Sequence, residues 1–94
     1  MDQRDIGKFI ASCRKNRDMT QSELAEKLGV SINAVSKWER GVNLPDYSNL
    51  QELCSVLGIS LNEFFAGRHL DDSEIERQSE ENLLSVVKQS ELDR

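Results

Sequence analysis

The stretch that most constrains this chain is TQSELAEKLGVSINAVSKWERG, residues 20–41, where helix starts, helix stops and apolar spacing agree at every step. Thr20 followed three residues later by Glu23 is a capping box: the hydroxyl serves a free N–H of the first turn and the carboxylate reaches back to the cap. Leu24, Ala25 and Leu28 then recur at helical spacing. Gly29 stops that helix, since the residue after a helix often sits at positive φ, where a Cβ is penalised. Ser31 caps a second helix with Val35 and Trp38 on its inner face, and Gly41 ends it. Two short helices joined by one tight turn point to an all-α chain.

The outward side of the second helix carries a different message. Asn33, Ser36, Lys37 and Arg40 stand at i, i+3, i+4 and i+7 with no acidic residue among them, opposite Ala34, Val35 and Trp38. Such a stripe has the chemistry to read a duplex: Asn pairs bidentately with adenine in the major groove, and Lys donates to guanine O6 and N7. Arg40, one turn further on, is better placed for a phosphate. Ile32 has two readings of equal weight, contact with a thymine methyl or an exposed apolar residue at a helix start.

The segment resembles the helix-turn-helix of the phage repressor and Cro class, also called the xenobiotic response element family. The residues that carry the resemblance are Thr20, Gln21, Leu24, Ala25, Gly29, Ser31, Val35, Trp38, Glu39 and Gly41, and the likeness runs from about Ile6 to Phe65. Small Ala25, turn Gly29 and apolar Val35 keep the spacing that lets two helices cross closely. The resemblance implies a compact five-helix lambda-repressor-like domain and a backbone-holding role for Gln21, whose place at a helix start also favours a phosphate. It further implies an ion pair of Glu39 with Arg14, and phosphate contacts from the loop after Gly41, for which Asn43 and Tyr47 are candidates. For Tyr47, half-buried packing is an equal reading. Ser31 joins the candidate phosphate contacts.

The formal charge of −5 looks wrong for a partner of DNA until its distribution is read. Residues 1–70 carry nine acidic and nine basic side chains, whereas residues 71–94 carry eight acidic and three basic, so the whole excess lies in the tail. A neutral domain can still present a local basic surface. Arg14, Lys15 and Arg17 form one basic cluster and Lys37 with Arg40 another. For Lys15, favourable placement at a helix carboxyl end weighs as much as a DNA contact.

The remaining helices follow from the same signals. Asp2 caps a first helix with Ile6, Phe9, Ile10 and Cys13 as its apolar stripe, weakened slightly by Gly7. Met19 reads as a core plug. Asp46 caps a fourth helix with Leu50, Leu53, Cys54 and Leu57 inward. Ser60 and Glu63 form a second capping box, Leu61, Phe64 and Phe65 are expected to complete the core, and Gly67 ends the domain. Residues 1–67 are thus one domain. Residues 68–94 read as a hinge and an acidic amphipathic helix, capped by Ser73 with Glu76 and bearing Ile75, Leu83, Leu84, Val86 and Val87. Three readings of that helix stay open: a dimerisation or accessory element, a linker to a further domain beyond residue 94, or a solvated tail.

The expected function is that of a sequence-specific transcriptional regulator binding double-stranded DNA. Ile32, Asn33, Ser36 and Lys37 would meet base edges, and Gln21, Ser31, Arg40, Asn43 and Lys15 would hold phosphates. One such module covers few base pairs, so a homodimer on a palindromic operator is expected, with half-sites roughly 34 Å apart. The rival class is a protein-interaction module on the same fold, such as an antitoxin or adaptor, whose signature would be an apolar patch in place of the polar stripe. An enzyme is disfavoured: His69 is the lone histidine and sits beside no nucleophile or carboxylate constellation in sequence. No cofactor or metal is expected, and Cys13 and Cys54 read as buried small hydrophobes. No apolar run approaches the ~18 residues of a membrane span, and the charged amino terminus has no signal-peptide pattern. The expected address is cytoplasmic.

Overall fold

The computed structural model describes residues 2–71. Asp2 opens α1 (Gln3–Asn16), its carboxylate accepting from the N–H of Arg4 at 2.8 Å. Thr20 and Glu23 close the capping box of α2 (Gln21–Leu28), and Ser31 Oγ accepts from Ala34 N–H to open α3 (Ile32–Glu39). Asp46 caps α4 (Tyr47–Leu57), and a second capping box, Ser60 with Glu63, opens α5 (Leu61–Ala66). Among the described residues the five-helix, all-α expectation is met. The acidic helix expected after the hinge lies outside the described residues.

The inner faces meet in one core. Ile6, Ile10, Leu24, Val35, Leu53 and Phe64 are its most buried members, with Met19 packed against its edge. Each fully buried side chain of this size contributes about 1.5–3 kcal/mol. α1 is the spine: it packs against α3, α4 and α5, while α2 and α3 pack on one another. Cys13 and Cys54 are buried free thiols whose pKa burial pushes up, as for small hydrophobes.

Four local expectations need correction. Gly7 is no mere weak point of α1, because a Cβ there would lie 2.5 Å from the Glu39 carbonyl oxygen and 2.6 Å from that of Trp38. Its missing side chain is what lets α1 touch the backbone of α3. Leu61 and Phe65 are 40% and 45% exposed, so of the three α5 residues expected in the core only Phe64 enters it. Tyr47 is exposed rather than half-buried, and its hydroxyl accepts from Gln51 Nε2 at 3.0 Å. The basic cluster at the end of α1 is also not a free surface. Arg14 is buried, and Arg17 Nε donates to the Leu57 carbonyl at 3.0 Å, satisfying an end of α4; of the three, Lys15 is exposed with its ammonium unpaired among the described residues.

Packing continues past Gly67. Glu63 Oε2 accepts from Leu70 N–H at 3.0 Å and pairs with His69 Nδ1 at 3.2 Å, while the His69 ring meets Phe9 edge-on and lies 4.0 Å from Cys13 Sγ. Leu70 is buried. Burial pushes the Glu63 carboxyl up, but hydrogen bonds from the Ser60 and Leu70 N–H groups and from His69 outweigh it and hold it below its ordinary value.

Candidate nucleic-acid interface

The presentation of α3 depends on the turn before it. Gly29 adopts φ 67°, the left-handed conformation, and the N–H of Val30 then returns to the Ala25 carbonyl, closing α2 before the chain reverses into Ser31. With Val35 and Trp38 buried, the opposite side of α3 faces solvent: Asn33, Lys37 and Arg40 are exposed and Ser36 is partly so. Ile32 is half-exposed at the helix start. Arg40 Nε donates to Ser36 Oγ at 3.2 Å, which holds the guanidinium along the helix and leaves the serine O–H free to donate. Ser31 Oγ is spent as an acceptor in the cap but likewise keeps its proton for a ligand.

A cleft of about 370 Å³ runs between α3 and the segment that leads into α4, lined by Ser31, Asn33, Lys37, Asn43, Asp46 and Asn49 among others. Four of the sequence-derived candidates therefore share one surface. Lys15 lies on α1 and lines no part of it. Asp46 and Asn49 are members that sequence reasoning left out. The Asp46 carboxylate accepts from Asn49 N–H and Ser48 Oγ, both at 2.9 Å, and these bonds, the first above all, hold its pKa below the ordinary value. Its charge is thus engaged at the start of α4. The only signal for this in sequence was its capping position.

Behind the surface, Arg14 and Glu39 form a bidentate pair, Nε to Oε2 at 2.7 Å and Nη2 to Oε1 at 3.1 Å. The hydrogen bond to Glu39 raises the Arg14 pKa further, so the guanidinium stays charged. Gln21, at the start of α2, donates Nε2 to Glu39 Oε1 at 2.9 Å. Nothing in the spacing of these residues signals that link. Among the described residues no group of three or more His, Cys, Asp or Glu is arranged to hold a metal, and no helix is long and apolar enough to cross a membrane.

Comparison with known proteins matches this architecture. A family model described as helix-turn-helix covers residues 10–64. The chain is 32% identical over 88 residues to the cryptic phage CTXphi transcriptional repressor RstR of Vibrio cholerae serotype O1, spanning 94% of this chain and 73% of that one. It is 34% identical over 58 residues to the uncharacterized HTH-type transcriptional regulator YqaE of Bacillus subtilis, spanning 62% of this chain and half of the relative. Among solved structures, the clp gene regulator ClgR from Corynebacterium glutamicum superimposes with a TM-score of 0.64 at 27% identity, covering 96% of this chain and 94% of that one. The matched span runs from the middle of α1 to Phe64 in α5, and the chain belongs to the helix-turn-helix family of transcriptional regulators.

Proposed function

We propose that this chain is a sequence-specific DNA-binding transcriptional regulator that lays α3 in the major groove and acts as a homodimer on a palindromic operator. The observation that carries the reading is the exposed stripe of Asn33, Ser36, Lys37 and Arg40 on a helix anchored through Val35 and Trp38. Asn33, Lys37 and Ser36 meet base edges, with Ile32 beside them. Gln21, Ser31, Arg40, Asn43 and Lys15 hold phosphates, which sets register without carrying sequence information. Residues 1–70 carry no net charge, so local cations rather than a global field supply the attraction.

The test pairs Asn33→Ala with Lys37→Ala. Both side chains are exposed on α3, so circular dichroism and melting should match wild type. Loss of two base contacts at about 1–3 kcal/mol each should weaken specific binding by roughly 30-fold or more in fluorescence anisotropy. With about three or four phosphates neutralised per protomer, log K against log salt should fall with a slope near −5 to −7. Unchanged affinity of the variant, or a flat salt response, contradicts the reading and favours a protein-interaction module.

A further inference from the structure

The buried pair between α1 and α3 has a third member that a brace for the fold does not require. Glu39 Oε1 accepts from Arg14 Nη2 at 3.1 Å and from Gln21 Nε2 at 2.9 Å, while Oε2 takes Arg14 Nε at 2.7 Å. Arg14 Nη1 donates in turn to the Met19 carbonyl at 2.8 Å, two residues before Gln21. The amide of Gln21 is therefore tied to the end of α3 by the same carboxylate that joins α3 to α1.

The chemistry of that amide gives the tie a direction. A phosphate oxygen only accepts hydrogen bonds, so of the two ends of an amide only the nitrogen can serve it. A carboxylate also only accepts, and it selects that same nitrogen. Glu39 takes one of the two N–H groups through a charge-assisted bond. The second diverges from the first and remains to donate. A bare carboxylate at this place would repel a phosphate, but Glu39 is neutralised bidentately by Arg14, and the two side chains are only 7% and 10% exposed. The Gln21 side chain gives up its rotamer freedom in the free protein instead of on binding.

We infer that Glu39, neutralised by Arg14, is a positioning residue that presents the second N–H of Gln21 to a DNA phosphate, an inference that rests on the DNA-binding reading above. The arrangement couples the start of α2 to the end of α3, so the phosphate contact and the reading helix keep one mutual geometry.

Three variants of the full chain separate this role from a structural one: Gln21→Ala, the double replacement Arg14→Met with Glu39→Leu, and all three changes together. The double replacement removes the pair without stranding a buried charge. On a duplex selected by the wild-type chain, Gln21→Ala should lower affinity about tenfold, the size of one charge-assisted bond. The double replacement should lower it by the same factor while still melting cooperatively, and adding Gln21→Ala to it should cost nothing more. The salt slope should not change in any of them, because no net charge is removed. Wild-type affinity in the double replacement, or losses that multiply, overturns the positioning role and leaves the DNA reading standing. Failure of the wild-type chain to select any duplex sinks both. Should the double replacement fail to fold, nuclear magnetic resonance of the wild-type chain decides. The Gln21 side-chain amide should show one proton shifted by the carboxylate before DNA is added and the other shifting on addition, whereas two solvent-averaged protons in the free protein refute the role.

Discussion

Gly7→Ala is the substitution at which local and tertiary reasoning disagree in sign. Helix propensity alone says that alanine should stabilise α1 by about 0.5–1 kcal/mol. The packing says otherwise. The added methyl would stand 2.5 Å from the Glu39 carbonyl oxygen, 2.6 Å from that of Trp38 and 2.9 Å from the Glu39 carbonyl carbon, against 3.4 Å for ordinary contact. All three are backbone atoms, so no rotamer change relieves the clash, and α1 must part from α3 by most of the deficit. Overpacking of this kind costs about 1–3 kcal/mol, and three backbone contacts place Gly7→Ala near the top of that range. Net of the propensity gain, the expected loss is about 2 kcal/mol, or roughly 8–16 °C in Tm for a domain of this size. Thermal and urea denaturation followed by circular dichroism measure it, and a variant that melts at or above wild type would refute the reasoning. Because the displaced backbone is the carboxyl end of α3, the DNA binding proposed above should weaken along with the lower Tm.

Two further predictions concern charges. Arg14→Ala strands Glu39 in a buried setting and should cost about 3–5 kcal/mol, whereas Lys15→Ala, exposed on the same helix, should stay within about 0.5 kcal/mol of wild type; equal melting temperatures for the two would contradict the assigned geometry. For Glu63, whose folded pKa is depressed, the sign is that of a carboxylate favoured by folding: its contribution is fully present above the ordinary glutamate range and is lost as pH falls through the folded value. Glu63→Gln should therefore flatten the acid limb of stability against pH, and an unchanged acid limb in a Tm series would count against the hydrogen bonds drawn to Ser60, Leu70 and His69.

Where the chain spells out a local rule, the fold was readable from it. The caps at Asp2, Thr20, Ser31, Asp46 and Ser60 each announce a helix by one side-chain acceptor, and the structure uses every one of them. What periodicity does not say is how much of an apolar face its neighbours cover. α5 has six residues and lies against α1 and α4, so Phe64 is enclosed while Leu61 and Phe65 fall on its open side. Gly7 looked like a defect because its cost is local and its reason, the α3 backbone, is about thirty residues away in sequence. The candidate surface divides the same way. The outward stripe of α3 follows from spacing alone, since residues on one helix keep their relative direction. The bond from Gln21 to Glu39 joins positions 18 apart, and the closeness of Asp46 to Lys37 in one cleft depends on how the segment after Gly41 folds back. Both are properties of tertiary approach, which one sequence does not encode in any short pattern.

The claim on which everything else rests is that the solvent side of α3 reads base sequence. Its most direct test is selection of bound duplexes from a random DNA pool by the full chain. The prediction is a palindromic consensus whose half-sites lie about one helical turn, roughly 34–36 Å, apart. A recovered pool no different in sequence from the starting one would contradict it.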